Sequence, residues 1–156
     1  MGNRGWPRII IMKIETGQNN PILRKKSQPI KKITADILDL AKDMIEIMNK
    51  NDGIGLSACQ VGKNIRMFVI LSELSSDKKV FINPEIIKIS KKTEILEEGC
   101  LSLPGITLLI KRAKSLKIKA IDEHGKQFKL KAKDLLARVI QHELDHLNGI
   151  LIINYE

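Results

Sequence analysis

His142 and His146, four residues apart with Glu143 beside the first, form the arrangement in this chain best suited to chemistry. On a helix, residues i and i+4 lie one above the other on one face, so both rings can reach a single metal ion. Glu143 follows about 100° further round. It is near enough to take a proton from a metal-activated water without being a ligand. A catalytic site of this kind wants a third protein ligand and an open fourth position. The extended pattern His-x-x-Gly-x-x-His is followed through Gly149, but Ile152 stands where its last histidine would be. With the sequence ending at Glu156, the third ligand is expected upstream.

Few upstream residues qualify: Cys59, Cys100 and one further histidine, His124. His124 sits in Asp122-Glu123-His124-Gly125 between two alternating runs, which reads as an exposed hairpin turn with glycine at the left-handed position. Cys59 lies in the Gly-rich, largely apolar stretch Gly53 to Gln60, where a buried free thiol is the simpler account. Cys100 lies in a loop bounded by Gly99 and Pro104, whose backbone can be shaped to present a thiolate. Cys100, His142 and His146 are therefore the expected metal ligands.

Three segments, Gly53 to Gln60, Glu98 to Ser102 and Gln141 to His146, resemble the signature motifs of peptide deformylases, in the same order and at similar separations. The looser likeness runs from about Ile14 to Tyr155. It implies a metal-dependent hydrolase that removes the N-terminal formyl group from formyl-methionyl nascent peptides, with Fe(II) in the cell and Zn, Ni or Co able to substitute. By resemblance, Gln60 and the backbone N–H of Leu101 donate to the oxyanion. Chemistry at the site agrees: a metal lowers the pKa of water and polarises a carbonyl. Glu143 would act as general base and then acid. Gly53 and Gly55 carry no side chain to obstruct a peptide, so Gly53, Ile54 and Gly55 are expected to pair with substrate as an added strand. Val139, on the metal-bearing helix, is a candidate wall of the methionine pocket. Asp145 is expected to pair with Arg112, and Glu98 to hold its loop. Ser57 departs from the family's usual alanine and is expected to add a hydroxyl near Gln60. Ile152 and Asn154 replace a pair commonly aromatic and acidic. A small endopeptidase is disfavoured by the Glu98 to Ser102 motif, and a structural zinc module by the lack of a fourth ligand.

With 156 residues, 43% hydrophobic but only 3% aromatic, the chain reads as one domain with an aliphatic core. Residues 13–156 are expected to form a single catalytic domain, with 1–12 an extension. Two cysteines without framework spacing suggest a reducing compartment, and the cytoplasm is expected. No apolar run is long enough to span a bilayer, so no membrane partner is expected. The net charge of +9 is compatible with transient contact with the ribosome surface. The lysines are nevertheless scattered without aromatic interleaving, so sequence-specific nucleic-acid binding is not expected, and a solvated basic face is the plainer account.

The elements that must position these residues are legible in outline. Thr34 offers an N-cap for an amphipathic helix carrying Ile37, Leu40, Ala41, Met44, Ile45 and Met48 to about Lys50. Residues 19–33 read as loop. Strands are expected at Arg66 to Leu71 and Val80 to Asn83, with one or two more between Glu85 and Glu97. Lys114 to Ile121 and Gln127 to Ala132 read as a hairpin. A closing helix from Asp134 to Leu147, stopped by Gly149, places Leu135, Val139, His142 and His146 on one inward stripe. The fold class is α+β: short antiparallel strands packed around a central metal-binding helix, with an N-terminal amphipathic helix.

Overall fold

The computed structural model describes residues 12–156. The expected extension thus lies, but for Met12, outside the described residues. Helices and antiparallel sheets are mixed, as an α+β fold requires. A short helix α1 (Pro21–Arg24) precedes α2 (Ala35–Lys50), and α3 (Asp134–Leu147) follows the strands. The stretch expected as loop thus contains α1, which starts because the Asn20 side chain accepts the Ile22 N–H ahead of Pro21. The Thr34 hydroxyl does the same for Ile37 at the head of α2.

Five strands, β1 (Gly55–Ser57), β2 (Met67–Ile70), β3 (Val80–Ile89), β6 (Ser115–Ile121) and β7 (Gln127–Lys133), form an antiparallel sheet in the order β1-β2-β3-β6-β7. A separate hairpin sheet pairs β4 (Thr93–Gly99) with β5 (Thr107–Ala113). The ambiguous stretch 85–97 therefore divides into the end of β3 and most of β4. Strand β5 is not marked by the patterning, because its polarity does not follow its burial: Leu109 is exposed while the charged Arg112 is buried. The β6–β7 turn has Gly125 at φ +75 and His124 exposed, as a hairpin demands.

Strand β2 explains how the layers meet. Its residues Met67 and Val69 join the core beneath α2, with Leu40, Met44 and Met48. Phe68 and Ile70, pointing the other way, join Val139, Ile140, Leu144 and Leu147 of α3. A strand covered by helices on both faces needs a continuous apolar run, and Met67 to Ile70 is one. Phe81 crosses to the α3 side and stacks on Phe68, with ring centroids 4.8 Å apart. Leu23, Cys59, Leu103, Ile110, Leu151 and Ile152 form a third cluster that closes the far end of α3. Gly149 ends that helix at φ +74, where a Cβ would strike the Arg24 carbonyl. Among the described residues, no helix is long and apolar enough to cross a membrane.

Candidate metal centre

Helix α3 carries His142 and His146 toward Cys100, which sits just past the end of β4. The Nε2 atoms of the two histidines lie 3.1 Å apart, and Cys100 Sγ lies 3.3 Å from His146 Nε2. One ligand atom from each residue falls within 4.8 Å of the others. A tetrahedral cation at ordinary bond lengths would separate two nitrogens by roughly 3.4 Å, and nitrogen from sulfur by roughly 3.6 Å. The donor set and its spacing therefore fit a divalent metal, and two imidazoles with a thiolate suit Zn, Fe(II), Co(II) or Ni(II).

Glu98 steers one of these rings. Its Oε1 lies 2.9 Å from His142 Nδ1, which turns His142 Nε2 toward the convergence point. The carboxylate is buried and held by two guanidinium groups. Arg112 donates through Nε and Nη2 at 2.9 and 3.0 Å, and Arg138 through Nη1 at 2.6 Å. Burial alone would push the Glu98 carboxyl up, but the His142 ring and Arg112 outweigh it and hold it at about 2. Arg112 reaches on to Asp145 at 2.6 Å, and the Tyr155 hydroxyl also donates to Asp145, at 2.7 Å. The expected Arg112–Asp145 pair is present. Two arginines and two carboxylates make the buried network close to neutral, which is what allows it to be buried.

Arg138 escaped the sequence reading. It lies four residues before His142, on the same face of α3, and besides Glu98 it donates to the carbonyls of Ile110 and Glu94. That i, i+4 relation to a candidate ligand was the one available signal. Gln141 also ties the helix to the hairpin sheet. Its side-chain amide accepts the Ala113 N–H and donates to the Ala113 carbonyl, docking β5 on α3.

Electrostatics separate the two histidines. Burial lowers His142, yet the Cys100 sulfur and Glu98 outweigh it and raise it to about 10. Burial drives His146 well below its ordinary value, and its Nδ1 has no partner among the described residues. Burial also raises Glu143, against the opposing pull of His142 and the Ser57 hydroxyl. Ser57 Oγ lies 2.6 Å from Glu143 Oε2. The Ser57 hydroxyl thus bonds to Glu143, while its main-chain N–H donates to Gln60 Oε1 at 2.9 Å. With that oxygen fixed, Gln60 Nε2 points to Ser102 Oγ at 3.0 Å and lies 3.8 Å from Cys100 Sγ.

A cleft of about 820 Å³ opens over this centre, lined by Gly53, Ile54, Gly55, Gln60, Cys100, Leu101, Val139, His142 and Glu143 among others. Every residue expected to hold the metal, act in catalysis or contact substrate lines it except His146, which lies beneath, 1% exposed. Leu135 is the exception to the inward stripe. It is 46% exposed, because the first turn of α3 stands at the mouth of the cleft rather than under the sheet. Cys59 is fully buried and His124 exposed, so neither joins the cluster.

Comparison with known proteins then decides the family. The polypeptide deformylase model matches residues 11–155. The chain belongs to the polypeptide deformylase family. It is 46% identical over 136 residues to the peptide deformylase of Borreliella burgdorferi, covering 87% of this chain and 82% of that one. It is 48% identical to peptide deformylase 1 of Clostridium perfringens, covering 88% and 93%. Among solved structures, the Thermotoga maritima peptide deformylase superposes with a TM-score of 0.88 at 40% identity, covering 94% and 97% of the two chains. The Ehrlichia chaffeensis peptide deformylase in complex with actinonin gives 0.86 at 36% identity, covering 93% and 88%. Family membership makes this chain a metalloenzyme of the deformylase class, and the Cys100, His142 and His146 cluster is a site able to hold its metal.

Proposed function

We propose that the site hydrolyses the formyl amide of N-terminal formyl-methionyl peptides, with Cys100, His142 and His146 holding one divalent metal and Glu143 moving the proton. The reaction itself, metal-dependent removal of the N-terminal formyl group, is that of the family to which the chain belongs. The assignment of roles rests chiefly on one observation: three ligand atoms converge in the wall of a cleft with a buried carboxylate beside them.

When bound, the metal supplies a polarised carbonyl and an acidified water, with Fe(II) the proposed ion in the cell and Zn, Co or Ni able to replace it. The remaining steps fall to the chain. Glu143 accepts a proton from water and delivers it to the departing amine. Gln60 Nε2 is fixed by the bonds described above, and the Leu101 N–H donates to no acceptor among the described residues. Together they are suited to take the oxyanion. Among the described residues strand β1 pairs only with β2, leaving its other edge unpaired where Gly53, Ile54 and Gly55 line the cleft. A formylated peptide can add there as a further strand, its first side chain against Val139. In this reading α3 is the central metal-binding helix, α2 the N-terminal amphipathic helix, and residues 13–156 one catalytic domain preceded by an extension. A cytoplasmic setting and a transient ribosome contact belong to the same proposal.

The test is anaerobic purification with metal analysis, followed by formate release from formyl-Met and acetyl-Met peptides. One metal per chain is expected, lost in Cys100→Ala, His142→Ala and His146→Ala but kept in Cys59→Ala and His124→Ala. The acetyl methyl adds a carbon at the most crowded atom and tilts the carbonyl off its donors. A preference for formyl above roughly a hundredfold in kcat/KM is expected, beyond a simple apolar pocket. Comparable values for the two peptides would make this a general amidohydrolase.

A further inference from the structure

Strand β1 forms a socket for the Glu143 carboxylate that no catalytic role so far assigned requires. Gly55 and Ser57 are two residues apart on that strand, so they present the same face. Over Gly55 there is no room for a side chain: a Cβ there would lie 2.8 Å from Glu143 Oε1, 3.1 Å from Glu143 Cγ and 2.9 Å from Val139 Cγ1. The acidic side chain thus occupies the space that any other residue at 55 would fill. At the next position on that face, Ser57 Oγ lies 2.6 Å from Glu143 Oε2 and 3.1 Å from the Glu143 main-chain carbonyl. Ser57 is fully buried, and among the described residues no other side chain hydrogen-bonds to this carboxylate.

We propose that Ser57 is a positioning residue for Glu143: its hydroxyl latches Oε2 and leaves Oε1, lying over Gly55, as the oxygen that exchanges the proton. The hydroxyl has one proton and two acceptors on the same residue. While Glu143 is ionised the charged Oε2 is the stronger acceptor. When Oε1 takes a proton from water, one water O–H bond breaks and Oε1–H forms, and Oε2 remains an acceptor for Ser57. The water oxygen bonds to the formyl carbon; delivery then breaks Oε1–H and forms N–H on the amine as its C–N bond to that carbon breaks, releasing formate. The latch holds in both protonation states, so the carboxyl need not change rotamer between accepting and delivering. A glutamate has three side-chain torsions to fix, and small misplacements of a reacting group cost rate steeply.

The inference rests on the reading of Glu143 as the proton carrier, and its test separates the two. Wild type, Ser57→Ala, Glu143→Gln and the double variant are loaded with Ni(II), and formate release from a formyl-Met peptide is followed. Ser57→Ala is expected to lower kcat about tenfold, the loss anticipated for one bond to a charged group. KM, metal content and Tm should stay close to wild type. Ser57→Thr, which keeps the hydroxyl, should recover most of the rate. In the Glu143→Gln background the same serine change should have little further effect, because the proton carrier is already gone. A crystal structure of metal-free Ser57→Ala should show the Glu143 carboxylate displaced from Gly55 or in more than one rotamer. Unchanged kcat, an unmoved carboxylate, or a loss of kcat accompanied by a matching loss of Tm overturns the inference. A wild type that releases no formate overturns the functional reading instead.

Discussion

Glu98 Oε1 and His142 Nδ1 lie 2.9 Å apart, and that one contact orients a ring of the candidate metal cluster. The carboxylate accepts a hydrogen bond from Nδ1–H, which turns the Nε2 side of the ring toward Cys100 and His146. Removing such a partner commonly lowers metal affinity by about 10–100-fold. Glu98→Ala is expected to fall in that range by competition with a chelator. It should also leave Arg112 and Arg138 without their shared acceptor, so Tm should drop too.

Arg112 joins Glu98 to Asp145, with its side chain only 4% exposed. Arg112→Met keeps much of the volume but leaves two carboxylates short of a cation. Breaking a buried pair from one side costs about 3–5 kcal/mol. Urea unfolding of the metal-free protein should report a loss of that order. A change below about 1 kcal/mol, the range of surface pairs, would show that water reaches this network.

Glu143 is buried beside the Cys100, His142 and His146 cluster without belonging to it. Glu143→Gln is expected to retain metal and fold while losing several orders of magnitude in kcat, since both proton transfers disappear. Metal analysis alongside single-turnover formate release is the measurement. Near-normal turnover with metal bound would place the proton carrier elsewhere.

The two cysteines should behave oppositely toward alkylating reagents. Cys59 is fully buried, and burial, reinforced by the nearby Glu143 charge, pushes its thiol up to about 12. It should resist iodoacetamide until the chain unfolds. Cys100 lines the cleft and should react once the metal is stripped. Mass spectrometry of native, metal-free and urea-treated protein distinguishes the two thiols, and modification of Cys59 in the native protein would show that the third core cluster opens readily.

The sequence by itself determined what depends on local spacing. His142 and His146 share a helix face because 3.6 residues complete a turn, and Asp122 to Gly125 is a hairpin turn because glycine admits a positive φ. The alternation of β6, with Leu116, Ile118 and Ala120 buried, is likewise written in the order of residues. Tertiary structure decided what depends on distant segments meeting. Arg138 reads as an ordinary surface arginine until β4 and β5 bring Glu98 and Ile110 against it. Strand β5 hides from patterning because its buried Arg112 is a charge whose partners, Glu98 and Asp145, come from β4 and α3. Ser57 and Glu143 are 86 positions apart, so no periodicity connects them. Their contact exists because Gly55 lets α3 approach β1 closely enough for a hydroxyl to reach a carboxylate.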